Sequence, residues 1–241
     1  MAVQSTLLLI ADIAGYTKFM KLHFMSLVHA QDIVAKLLEA VIDAASPALK
    51  LAKLEGDAAF FYLPGATKLD PALIAENAAA IHRAFHARIA DIRANTICVC
   101  GGCQQAGDLK IKLVGHVGDV AIQKVKQLTE LAGIDVILVH RMLKNDVPLP
   151  EYLLVTRPVY ETWDPPLRER ASVCDLKLDD LGSSEAFYVD LHHCSEALPP
   201  ARKQPMLARV SNHMKLIYRT MPYMFGRKKA CAGFRNVPDA P

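Results

Sequence analysis

The sequence predicts an α/β sandwich in which helices lie over one mixed or antiparallel sheet. Three observations carry that prediction. The periodicities run strand, helix, paired strands, helix, paired strands, helix, strand, which is not the strict alternation of a doubly wound fold. No Gly-rich phosphate loop of the dinucleotide or Walker type is present. The 241 residues are 52% hydrophobic and 22% charged, ordinary for a chain that buries a core without staples, so gross disorder is excluded.

The elements follow in order. Leu7–Ile10 is a short apolar run ending at Asp12, then Ala14-Gly15-Tyr16-Thr17, so a buried strand stops at a tight turn and a helix starts after Thr17. From Ser26 to Ala45, Leu27, Val28, Ile33, Val34, Leu37, Leu38, Val41 and Ile42 recur at helical spacing. Leu49–Leu54 and Ala58–Leu63 flank Glu55-Gly56-Asp57, which reads as a hairpin. Pro71 to Ile92 predicts a second helix, with Asp70 as cap and Pro71 at its first position. Ile97–Cys100 and Leu109–Val117 read as a second strand pair around Gly101-Gly102. Ala132 to Leu143 predicts a third helix, and strands follow at Tyr152–Thr156 and Ala186–Leu191.

The longest apolar run falls short of the ~20 residues that span a bilayer, and no basic residue precedes it as in a secretory signal. A cytoplasmic location and six reduced cysteines are therefore expected. The net charge of +3 conceals two opposed segments. From Ala201 onward nine basic residues meet one acid, Asp239, so this tail is +8 and the preceding two hundred residues are −5. With Pro199-Pro200 as the linker, the expected division is 1–198 for the α/β domain and 199–241 for a basic, partly helical extension.

Two carboxylates stand out. Asp12 closes an apolar strand and Asp57 sits in a tight turn. A carboxylate there costs desolvation unless something positive compensates it. Brought side by side by sheet pairing they would repel each other, and a magnesium-like cation is the usual remedy. The turn through Gly15 into a helix start offers free N–H groups to a phosphate. The structural alternative is that Asp57 forms a turn and Asp12 bonds nearby amides.

These residues resemble a known family. Asp12-Ile13-Ala14-Gly15-Tyr16-Thr17 is similar to the opening of class III adenylyl and guanylyl cyclase catalytic domains, and Lys53-Leu54-Glu55-Gly56-Asp57 to their K-x-x-G-D hairpin. His116-Val117-Gly118-Asp119-Val120 resembles their H-x-G-E/D-V strand end, and Gly133 through Arg141 their G-x-x-V-N-x-A-x-R helix. The wording of His140-Arg141-Met142-Leu143-Lys144-Asn145 is nearest to a superfamily branch carried as a domain of unknown function.

The resemblance implies a ferredoxin-like cyclase fold. It implies metal binding (Mg2+ or Mn2+, two ions) at Asp12, Asp57 and the backbone of Ile13, base recognition by Lys53 and Glu130, and phosphate contacts at Gly15, Tyr16 and Thr17. Arg141 falls on the arginine that steadies the transition state from across a homodimer, where ATP yields cyclic AMP and pyrophosphate. A catalytically weak nucleotide-binding regulatory module, or an interaction scaffold without nucleotide, are the alternatives. Two departures bear on turnover. Ile137 replaces the ribose-orienting asparagine and offers no donor, and Leu181-Gly182 replaces the Lys-Gly of the triphosphate site, with Lys177 four residues earlier.

Outside those motifs, Cys98, Cys100 and Cys103 could supply three zinc ligands, with Cys174 or His116 as a fourth, or could be buried thiols. His192-His193-Cys194 reads as an exposed loop. Met206, Val210, Met214, Ile217 and Met221 form one helical stripe with Arg209, Lys215 and Arg219 around it. Such a helix packs its stripe on the domain with a solvated basic face, or lies on a membrane surface or partner. Tyr218, Tyr223, Phe225 and Phe234 accompany it without any nucleic-acid motif, so no nucleic-acid partner is expected.

Overall fold

Leu7 through Ile13 can only be satisfied by burial on both faces, and a computed structural model of the chain places them in the middle of an eight-stranded sheet. The structure describes residues 2–22, 27–66, 70, 72–178, 181–192 and 198–224. The strands are β1 (Ala2–Ala14), β2 (Lys50–Glu55), β3 (Ala58–Pro64), β4 (Lys110–Val125), β5 (Leu128–Ala132), β6 (Tyr152–Thr156), β7 (Ser172–Leu178) and β8 (Gly182–Asp190). They run in the order β2-β3-β1-β4-β6-β8-β7, with β5 hairpinned onto β4. All pairings are antiparallel except β4 with β6.

The helices are α1 (Tyr16–Leu22), α2 (Leu27–Ala45), α3 (Leu73–Asn95), α4 (Gly101–Gln105), α5 (Ile134–Arg141), α6 (Arg157–Tyr160), α7 (Pro165–Glu169) and α8 (Met206–Met224). The mixed, largely antiparallel sheet with helices is the fold class that the sequence predicts. Alternation along β1 divides the core. Leu7, Leu9, Ala11 and Ile13 face a thick layer in which α2 and α3 contribute Leu37, Val41, Ile81 and Phe85. Leu8 and Ile10 face the other side, where Phe60, Val114 and Leu154 meet Val139 and Met142 at the end of α5.

The Ser26–Ala45 helix, the hairpin around Gly56 (φ +69°) and strand Tyr152–Thr156 form as the periodicity predicts. Ser26 itself and Pro71 lie outside the described residues. Asp70 accepts the Ala72 amide at 3.1 Å just ahead of α3. The strand expected at Ile97–Cys100 is not formed. That segment is irregular, and Gly101-Gly102 opens α4 instead of turning a hairpin. The strands β5 and β7 were not foreseen.

The basic extension folds back as far as it is described. The Arg202 amide donates to Asp91 at 2.6 Å, Asn95 Nδ2 donates to the Arg202 carbonyl at 2.7 Å, and Arg219 lies 3.8 Å from Asp32 of α2. Helix α8 thus meets the helical layer through its polar side, and Met206, Val210, Met214 and Met221 stay exposed. Of the two expected placements, the stripe packed on the domain is therefore not adopted by these four residues, though Ile217 of the same stripe is half-buried; the contacts are made by the Arg202 backbone and by the Arg209 and Arg219 side chains. Residues 225–241, with Phe225, Phe234, Arg227, Lys228, Lys229, Arg235 and Asp239, lie outside the described residues, as do His193, Cys194 and the Tyr223 side chain. No helix among the described residues is long and apolar enough to cross a membrane.

A buried ionic knot ties the layers together. Glu151, at the start of β6, accepts the Ile111 amide at 3.1 Å and His86 Nε2 at 2.7 Å, with Lys110 Nζ and His82 Nε2 each at 3.6 Å. Burial pushes its carboxyl up, but the two imidazoles and the amide outweigh that and hold it well below the usual glutamate range. A depressed carboxyl contributes stability that is complete above the unfolded value of about 4.5 and is lost as pH falls. Glu151→Gln is expected to cost about 2–4 kcal/mol at pH 7 and to flatten the acid side of the stability profile, measured by urea unfolding between pH 3 and 7.

Candidate functional site

The sheet face covered by the short α5 and the segment after it carries the polar cluster. Asp12 pairs with Ala58 on one side and with Lys112 on the other, and its alternation with Leu8 and Ile10 turns it to this face. Asp57 precedes Ala58 in the hairpin turn. The Ile13 amide donates to the Asp57 carbonyl at 3.3 Å, fixing the turn beside the end of β1. The Ile13 side chain is buried on the opposite face.

The two carboxylates feel each other. Burial and then the charge of Asp12 raise the Asp57 carboxyl to about 6, and burial raises Asp12 too, against the lowering by Lys112. Two half-buried acids that repel each other form a hard-oxygen donor set short of positive charge, which fits a divalent cation. Lys112 is the cation already nearby. The sequence reading missed it, because only the β1–β4 register reveals the pairing.

Lys53 and Glu55 share this face, opposite Phe60 and Ala58. Lys53 Nζ lies 2.8 Å from Glu55, which also meets His140 Nε2 at 2.9 Å. His140 Nδ1 donates to the Val136 carbonyl at 2.7 Å, and its ring stands edge-on to Phe60 at 4.9 Å. Lys53 and His140 outweigh burial and hold Glu55 below the carboxylate range. Lys53 is therefore engaged by an acid two residues away. Neither Glu55 nor His140 was singled out by its sequence position.

The H-x-G-D segment anchors α5. His116 Nε2 donates to Asp135 Oδ1 at 3.0 Å, Asp135 Oδ2 accepts the Asp119 amide at 2.7 Å, and the Thr156 hydroxyl lies 2.8 Å from His116 Nδ1. Gly118 is required here, since a Cβ would stand 2.2 Å from the Asp135 carboxyl carbon. Arg141 ends α5, half-buried, on the outward stripe of Ile134 and Ile137, the latter 48% exposed.

Other sequence-predicted positions are not gathered at the carboxylates. Glu130 pairs with Gln123 on β5, and its neighbour Leu131 takes the α5-side face, so Glu130 faces the other way from Lys53. Lys177 is exposed between buried Leu176 and Leu178, on the face opposite Asp12. Gly15 (φ +86°) makes the turn between β1 and α1. Tyr16 leans on the helical-layer core, and Thr17 is exposed.

Residues 34–152 match the family described as "Protein of unknown function (DUF2652)". The chain is 42% identical over 205 residues to the uncharacterized protein Rv2561/Rv2562 of Mycobacterium tuberculosis, an alignment spanning 85% of this chain and 94% of the relative. The fold is that of nucleotidyl cyclase domains. The guanylyl cyclase Cya2 superposes with a TM-score of 0.59 at 11% identity, over 78% of this chain and 92% of that one. A bacterial light-regulated adenylyl cyclase gives 0.55 at 15% identity over 91% and 100%. The adenylyl cyclase CyaB from P. aeruginosa gives 0.51 at 14% identity over 78% and 95%.

A carboxyl raised from 3.8 to about 6 holds its proton more tightly in the folded chain, so its stabilising contribution is present below pH 3.8 and is lost as pH rises through about 6. In chelator, Asp57→Asn is expected to stabilise the chain by about 1–2 kcal/mol at pH 7.5, after discounting for solvent screening, and to leave it unchanged at pH 3.5. Paired melting curves at the two pH values measure this.

Proposed function

The chain belongs to the family of the mycobacterial protein, and on that premise we propose that it is a metal-dependent nucleoside-triphosphate-binding module on the cyclase fold, favouring ATP and turning it over slowly to cyclic AMP and pyrophosphate. The observation that carries this reading is the pair Asp12 and Asp57, two mutually repelling carboxylates on the thinly covered sheet face. They would hold Mg2+ or Mn2+ together with the Ile13 backbone. Such an ion, when bound, neutralises triphosphate charge and acidifies a ribose hydroxyl.

The chain's own residues supply binding and orientation. Lys53 favours adenine by resemblance, and must leave Glu55, 2.8 Å away, to reach a base. By resemblance Arg141 would serve a partner's site in a homodimer, and the exposed Ile134 and Ile137 beside it, which such a partner would cover, support that reading. Glu130 as a base selector rests on the resemblance alone, while phosphate contacts at Gly15, Tyr16 and Thr17 rest also on the turn through Gly15 into the start of α1.

The absent donors set the rate. Losing one preorganised donor near a developing charge costs about 10²–10³ in rate, and both Ile137 and Leu181 are apolar where the family pattern has a donor. The face taken by Lys177 supports a second reading, an inert nucleotide-binding regulatory module.

The test is triphosphate binding and product formation by the purified full-length chain with Mn2+ and ATP or GTP. The expected result is Mn2+-dependent ATP binding, weakened at least about 10-fold by Asp57→Asn, and cyclic AMP formation raised about 10²-fold by Ile137→Asn. Binding indifferent to Mn2+ and to Asp57→Asn would sink the proposal. Binding that persists with no product from Ile137→Asn selects the inert module.

A further inference from the structure

On the far side of the sheet from the carboxylates, four side chains converge from segments the sequence keeps seventy residues apart. His29 lies in the first turn of α2, Cys98 and Cys100 in the irregular segment after α3, and Cys103 in α4. His29 Nδ1 lies 3.7 Å from Cys98 Sγ, 3.6 Å from Cys100 Sγ and 4.0 Å from Cys103 Sγ. The sulfurs of Cys100 and Cys103 are 3.6 Å apart, and all four ligand atoms lie within 4.8 Å of one another.

Four of the six ligand-atom separations are therefore 3.6–4.0 Å, and the two from Cys98 to the other sulfurs are within 4.8 Å. Zinc bonds of about 2.3 Å to sulfur and 2.0 Å to imidazole nitrogen place ligand atoms about 3.5–3.8 Å apart. We propose that His29, Cys98, Cys100 and Cys103 form a structural zinc site of the Cys3His type. It corrects the fourth ligand expected from sequence. Cys174 sits on β7 opposite Ala186 and His116 is engaged by Asp135 and Thr156, so neither joins the cluster.

Local backbone supports the assignment. The amides of Gly102 and Cys103 reach the Cys100 sulfur, and the Cys100 amide lies 3.5 Å from Cys98 Sγ. A C-x-x-C turn folded over its first sulfur presents both thiols to one point, which is why a strand pair does not form here. A disulfide would need two sulfurs only. It would leave the imidazole nitrogen, within 4.0 Å of three sulfurs, without a purpose.

On binding, three thiols become thiolates and release three protons, while His29 binds through neutral Nδ1. The resulting single negative charge lies beside a cavity of about 380 Å³ that includes Arg88, Arg202 and Arg209. The ion would fasten the start of α2 to the α3–α4 connection beneath α8, and its closed coordination suits structure rather than catalysis.

The experiment is metal analysis of the full-length chain purified under reducing conditions, followed by exchange with Co2+. Expected are about one zinc per chain and, with Co2+, the visible bands of a tetrahedral thiolate site. Cys103→Ser should lose the metal, while Cys174→Ser and Asp57→Asn should keep it. His29→Cys should retain it as a four-thiolate site. A reduced, folded wild-type chain that takes up neither zinc nor Co2+ overturns the proposal, as does a Cys100–Cys103 disulfide under the same conditions. The wild-type Co2+ spectrum needs no variant, and Asp57→Asn separates this site from the nucleotide proposal.

Discussion

The burial of β1 on both faces, and its register against β3 and β4, is the constraint on which the rest depends. Leu7 to Ile13 is apolar almost throughout, so a one-residue slip would leave its hydrophobic content nearly as well buried. What a slip would not preserve is Asp12, which would move from the thin face into the helical core. The desolvation cost of that carboxylate therefore pins the register, and Lys112 opposite it adds a favourable charge. The residue proposed to hold the cation is thus also the one that fixes the strand's register.

The same alternation explains why the two halves of the molecule do different work. The face carrying Leu9 and Ile13 is covered by α2 and α3, while the other is covered by the short α5 and the segment after it. Polar side chains needing solvent or a ligand collect where cover is thin: Asp12, Lys53, Glu55 and Lys112. Where cover is thick, Glu151 is satisfied by His86 and the Ile111 amide, while the buried ring nitrogens of His82 and Trp163 have no hydrogen-bond partner among the described residues. The His116–Asp135 bond belongs to a third kind. It holds α5 on the sheet and so determines where Arg141 and Ile137 stand.

Much of this was legible in the sequence where the signal is local. Helical spacing marked α2, α3 and α8, and Gly56 between alternating strands marked the hairpin that carries Asp57. The cyclase resemblance named Asp12 and Asp57 and the fold that brings them near each other. What escaped depends on register or distance. Lys112 matters only because it pairs with Asp12, Glu130 faces away because of β5 parity, and His29 lies far along the chain from the cysteines it joins. Segment 97–103 was misread because Ile97 and Val99 alternate with cysteines as strand residues do. The helical spacing marks α8 but does not say which side it turns to the domain, because that side is chosen by contacts distant in sequence: Asp91 accepting the Arg202 amide, the Asn95 carbonyl accepting Arg209 Nε, and Asp32 near Arg219.

Binding and turnover place different demands on such a site, and the residues separate them. Holding a cation and a triphosphate needs converging charge, which in the proposed site would come from Asp12 near the end of β1 and Asp57 in the β2–β3 turn, without help from α5. Accelerating an attack on phosphorus needs donors fixed where charge develops, and those positions fall on α5 and the β7–β8 turn. There the chain presents Ile137, exposed, and Leu181, packed against the apolar core. An isoleucine nearly half exposed on a helix gains little for folding, and in the proposed homodimer it would be covered by the second copy. On the proposed reading, the carboxylate pair and the exposed isoleucines of α5 are separate features, one bearing on cation binding and the other on contact with a second copy.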